Sequence, residues 1–78
     1  MYAVAWFKPD EREGAIFPNV FPDFDMAQDT VLHQIKSDYG DVLDHLEFDV
    51  EIGGRYVIYY EQTVYLIGKL FNFNPRGL

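Results

Sequence analysis

The sequence predicts an α+β domain: a small antiparallel sheet, made of a C-terminal three-stranded meander and an N-terminal strand, packed on one helix. Three observations carry that expectation. Residues Leu46 to Ile52 alternate apolar and acidic without exception, which is the period of a strand with one buried and one wet face. Gly53-Gly54 then separates this stretch from Arg55-Tyr56-Val57-Ile58-Tyr59-Tyr60, a β-branched and aromatic run, so the two form a hairpin. Upstream, Val31, Ile35, Tyr39, Val42 and Leu46 recur at spacings of 4, 4, 3 and 4, the apolar stripe of an α-helix, widened by Leu32 and Leu43.

Taken in chain order, Tyr2 to Phe7 is a short apolar run ended by Lys8-Pro9 and the charged loop Asp10 to Gly14; it reads as a strand added to the meander. Ala15-Ile16-Phe17 is a candidate return strand, which Pro18 and Pro22 confine to an edge or an extended connection, because proline cannot donate to a ladder. The rings of Phe17, Phe21 and Phe24 are expected to lid the core, with an exposed binding segment as the sharper alternative. Asp25 has the N-cap chemistry and Gln28 the capping-box position, so the helix is expected from about 26 to 44. Running through Gly40 costs about 1 kcal/mol. The alternative is a helix that ends near Tyr39, followed by a turn capped by Asp41.

In the hairpin, a two-residue turn sets Ile52 opposite Arg55, Val50 opposite Val57 and Phe48 opposite Tyr59 on one face. Glu47 then lies beside Tyr60, Asp49 beside Ile58 and Glu51 beside Tyr56 on the other. A second turn near Gln62-Thr63 returns the chain as a strand from Val64 to Phe71. Val64, Leu66 and Leu70 join the first, aliphatic face; Tyr65, Ile67, Lys69 and Phe71 join the second. The final Asn72 to Leu78 has turn composition.

With 78 residues, the chain is one domain, residues 1–78. It has no cysteine, which excludes a disulfide framework, a thiolate zinc site and a cysteine nucleophile, and suits a reducing cytoplasm. Neither a signal-peptide pattern nor an apolar run of membrane-spanning length is present, so a soluble protein is expected. The net charge is -7, and nine acids but only one base, Lys36, lie between Asp23 and Glu51. That field disfavours direct contact with nucleic acid.

Catalytic chemistry finds no support. There is no phosphate-binding glycine loop, no nucleophile elbow and no context that activates Thr30, Ser37 or Thr63. Asp29 with His33, and Asp41 with His45, are helix-spaced pairs that could each give a metal two ligands, but the pairs stand too far apart to converge. The chain is therefore read as a non-enzyme without metal or cofactor.

The expected site is a partner-binding surface. Alternate residues on a strand stand roughly 6.6 to 6.8 Å apart, so Glu47, Asp49 and Glu51 would form a row of charge at the pitch of nucleic-acid phosphates, extended along the helix by Asp38, Asp41 and Asp44. A single helix covers only one sheet face, and Tyr56, Tyr60 and Tyr65 on the uncovered side would anchor a partner. The partner expected is a protein with a basic surface, such as a nucleic-acid-binding protein or complex, and neither nucleic acid itself nor a membrane. Small acidic inhibitors from phages and mobile elements, which block host nucleases or defence complexes, are analogous in character. The alternative is a structural homo-oligomer, such as a homodimer, joined through the aromatic sheet face.

Overall fold

A computed structural model describes residues 1–70. Five strands and one helix follow in the order β1 (Tyr2–Lys8), β2 (Glu13–Ile16), α1 (Phe24–Tyr39), β3 (Val50–Ile52), β4 (Arg55–Tyr60) and β5 (Thr63–Lys69), with a 3-10 turn at Pro9–Glu11 between β1 and β2. The strands form a five-stranded sheet in the order β2-β1-β5-β4-β3, and all neighbours are antiparallel. The α+β architecture read from the sequence is thus the observed one, with the N-terminal hairpin added along β5. The last strand ends at Lys69, one residue before Leu70 where it was expected to continue; the expected strand residue Phe71 and the turn composition of residues 72–78 lie outside the described residues.

The predicted pairing of the meander holds where β3 exists: Ile52 faces Arg55, Glu51 faces Tyr56 and Val50 faces Val57. Gly53 and Gly54 make the turn at φ of 58° and 78°, values that glycine adopts without a Cβ clash. The second turn falls at Glu61-Gln62, one residue earlier than expected, and Tyr60 pairs with Thr63 across it. Because a strand alternates its side chains, this register still puts Tyr56, Ile58, Tyr60, Tyr65 and Ile67 on one side and Val57, Tyr59, Val64 and Leu66 on the other.

Helix α1 lies on the first of these sides. Ala27, Val31 and Ile35 are fully buried there against Val4, Ile58, Tyr65 and Ile67, and Leu46 closes the core from the linker after the helix. Phe17, Phe21 and Phe24 pack against this core, as the lid expectation has it. Phe17 and Phe21 are fixed by backbone bonds of 2.8 Å to Val4 and Tyr2 of β1.

Three boundaries differ from expectation. The N-cap is Asp23, whose Oδ1 accepts from the Met26 N–H at 2.9 Å, and Asp25 sits in the first turn, where its charge favours the helix dipole. The helix stops at Tyr39: Gly40 takes φ 76°, ψ 0°, and its N–H returns to the Lys36 carbonyl. Sixteen helical residues span about 24 Å, close to the roughly 23 Å of a strand of β5's seven residues. A helix to residue 44 would overhang the sheet. Finally, β3 begins only at Val50, since the chain upstream of Asp49 leaves the sheet and folds toward the helix side. Leu46 and Phe48 do alternate with outward acids, but they pack into the core rather than opposite Tyr59.

Candidate interaction surfaces

Each side of the sheet has its own chemistry. On the helix side, rings gather around Phe24: its centroid lies 5.7 Å from Tyr2, 5.7 Å from Phe48 and 4.6 Å from Tyr56. Tyr39 and Tyr60 form a second pair, 5.6 Å apart with ring planes inclined at 62°. Such edge and tilted contacts place a ring's positive rim on its neighbour's negative face. The cluster seals the helix ends against the sheet.

This arrangement corrects the expected aromatic anchor. Tyr65 is 0% exposed, Ile58 is buried, and Tyr56 and Tyr60 are half-buried, because α1 covers the aromatic side and not the aliphatic one. The hydroxyls of Tyr60 and Tyr65 are directed to the end of α1. Tyr65 donates to Asp38 Oδ2 at 3.3 Å, Tyr60 donates to Asp41 Oδ2, and Tyr39 shares a hydrogen with Thr63 Oγ1 at 2.5 Å. Burial, and next the charge of Asp38, push the Tyr65 phenol far above its ordinary value. The bond to Asp41, with smaller help from desolvation and Glu61, pushes Tyr60 up to about 12. Both phenols are neutral donors at physiological pH.

The acids divide into held and free. Besides Tyr65, Asp38 accepts from Gln34 Nε2 at 3.0 Å, and Asp49 Oδ2 accepts from the Tyr59 backbone N–H at 3.2 Å. Asp44, Glu47 and Glu51 are exposed, and Glu47 approaches His45 at 3.7 Å. Among the described residues no Lys or Arg forms an ion pair with any acid from Asp38 to Glu51. The carboxylates form a band from the end of α1 along the linker to the β3 edge. Only Glu51 of the expected strand row lies on a strand, so the regular phosphate-like pitch is not formed. Since residues 41–49 are not helical, the helix-spaced pairing of Asp41 with His45 is also lost. Among the described residues no group of three or more His, Asp and Glu converges on a metal-sized site.

Among the described residues, the surface that sequence reasoning placed in the core is the open one. Ala3, Ala5 and Phe7 of β1, Ile16 of β2, Val50 and Ile52 of β3, Val57 and Tyr59 of β4, and Val64 and Leu66 of β5 all project from the side without a helix. Ile16 is 74% exposed, Ile52 71% and Tyr59 55%. At its centre Ala3, Ala5 and Gly68 floor a groove of about 270 Å³ walled by Ile16, Leu66 and Leu70. The sequence signal was present: both sides of β4 and β5 read as apolar, so one had to remain uncovered. Among the described residues no helix is long and apolar enough to cross a membrane. The chain matches no protein family, no curated protein and no solved structure.

Proposed function

We propose that the protein is a small acidic interaction module that binds a basic surface of a partner protein through the band running from Asp38 to Glu51. The observation that carries this reading is the exposed run Asp41, Asp44, Glu47 and Asp49 along a linker that contains no Lys or Arg, continued by Glu51 on β3 and met by no Lys or Arg in an ion pair among the described residues. Like charges held this close repel one another, and a lysine- or arginine-lined groove relieves that repulsion while steering encounter. An occupied groove is lost to nucleic acid, so the module acts as an inhibitor of the kind phages and mobile elements use against nucleases and defence complexes. The cysteine-free composition suits a cytoplasmic setting.

Asp38 and Asp41 contribute charge while committed to Tyr65 and Tyr60, so the adaptable contacts fall to Asp44, Glu47 and Glu51. The test is competition: the protein is titrated into complexes of DNA with a panel of basic DNA-binding proteins, and release of DNA is read by fluorescence anisotropy. Release from at least one member, weakening as salt rises, is expected. The variant Asp44→Lys/Glu47→Lys/Glu51→Lys should keep its fold, because all three side chains are exposed, and lose at least tenfold in potency. Equal potency of variant and parent would exclude the band as the binding surface.

A further inference from the structure

We propose that the open face of the sheet is the interface of a homodimer, in which two copies pack sheet to sheet as a four-layer particle with a helix on each outside. The proposal stands on a different surface from the acidic band and does not depend on it.

Charge identifies the occupant. In a chain of net charge -7 with 13 acids, none of the acids projects from the open face. The acids of the described strands, Glu13 and Glu51, pair with Lys8 and Tyr56 on the helix side, and the others lie on α1, the linker and the turns. Among the described residues Arg55, at the end of β4, is the charged side chain that alternation directs to this face, and Lys69 also lines the groove beside it. A basic partner finds no carboxylate here, and a nucleic acid or anionic membrane finds only Arg55 and Lys69, together at one end of the groove. Apart from these cations a second copy presents the same aliphatic surface, and no carboxylate of one copy faces a carboxylate of the other across it.

Area and relief agree. The five strands hold 27 residues, which at a rise of about 3.3 Å and a spacing of about 4.8 Å give roughly 430 Å² of projected face. Pairing two such faces removes about 860 Å² in all, the size of a weak, reversible interface. Stacked sheets reach a spacing of about 10 Å only when their side chains interdigitate. The floor of Ala3, Ala5 and Gly68 supplies the depressions, and a Cβ built on Gly68 meets nothing within 4 Å within its own chain. Leu66, Ile16 and Tyr59 supply the projections.

The acidic band also selects the symmetry. A two-fold axis along the strands sets the β3 edge of one copy over the β2 edge of the other, holding the two bands four strand spacings apart, roughly 19 Å. That exceeds the screening length of about 8 Å at physiological salt. An axis across the strands would stack band on band.

Sedimentation equilibrium of the full chain from micromolar to millimolar concentration tests the proposal. A monomer–dimer equilibrium that populates the dimer between micromolar and millimolar concentration is expected, as for a small, weak interface, unchanged or strengthened by added salt. Leu66→Lys, at the centre of the face, and Tyr59→Lys, at a site exposed enough to leave the fold intact, should each weaken dimerisation at least tenfold. Val42→Lys, 75% exposed but on the linker, should not, and the Asp44/Glu47/Glu51 reversal should still dimerise. A chain that stays monomeric to millimolar concentration, a dimer that salt dissociates, or one that Tyr59→Lys leaves intact would overturn the proposal.

Discussion

The hydroxyls of Tyr39, Tyr60 and Tyr65 meet Thr63, Asp41 and Asp38 where α1 ends above the β4–β5 turn, and they fix the helix against the sheet through polar contacts at the rim of an otherwise apolar core. Thr63 is fully buried, so its hydroxyl needs the Tyr39 partner it has. Tyr60 makes the arrangement measurable. Its phenol is raised from 10.0 to about 12, first by the bond to Asp41 and then by desolvation and the charges of Asp41 and Glu61. A group whose folded value lies above its unfolded one holds its proton more tightly in the native state. The resulting stabilisation is therefore complete below pH 10 and lost as pH rises through about 12. Tyrosinate absorbance should show Tyr60 and Tyr65 ionising above the ordinary tyrosine value of 10.0, with stability falling over that interval. Asp41→Asn removes the carboxylate charge and should bring Tyr60 back toward 10.0, the value it has without these neighbours. An unchanged titration in Asp41→Asn would mean that the bond is not made in solution.

At the scale of elements, most of the organisation can be read from residue types, and the failures have specific causes. The register from Val50 to Leu66 follows from one glycine turn and strict alternation, and only position, not parity, was lost at the second turn. The helix stripe from Val31 to Tyr39 was legible, but its continuation to Val42 and Leu46 kept the same spacing by coincidence. Leu46 is buried from the linker, while Val42 faces solvent. Periodicity alone could not see that the sheet is only as long as the helix that ends at Gly40. Likewise, Asp25 and Asp23 are equally good caps by type, and Phe24 decides between them because its ring must enter the cluster with Tyr2 and Tyr56. Gly40 is thus required by its left-handed φ of 76°, with nothing within 4 Å of a Cβ built there. Gly40→Ala should cost about 1 kcal/mol through backbone strain alone. Denaturant unfolding should show a lowered midpoint with an unchanged slope. A more stable variant would mean that the helix runs on through residue 40 after all.

For the whole molecule, the decisive fact is topological: β1, the first strand, pairs with β5, the last described one, so β5 lies at the centre of the sheet. The sequence indicated that an N-terminal strand joins the meander but not on which edge, since neither propensity nor alternation encodes a partner so distant along the chain. Which side the helix covers was equally hidden, because both sides of the sheet are apolar and the choice rests on how Phe24, Phe48 and Tyr56 fit together. That single placement turned the expected aromatic site into core and left the aliphatic side open. It also sets a gradient of stability. Every amide of β5 points to a strand on one side or the other, and Tyr65 and Ile67 are wholly buried beneath α1. In contrast, β3 is three exposed residues on an edge. Local opening is least costly where few contacts must break, so hydrogen exchange should report two regimes. The amides of Leu66 and Ile67 should exchange only with global unfolding, tracking denaturant as the whole domain does. Those of Val50 to Ile52 should exchange through fraying that denaturant barely affects. If β5 exchanged as fast as β3, the pairing of β1 with β5 would be wrong, and with it the continuous open face on which the dimer depends.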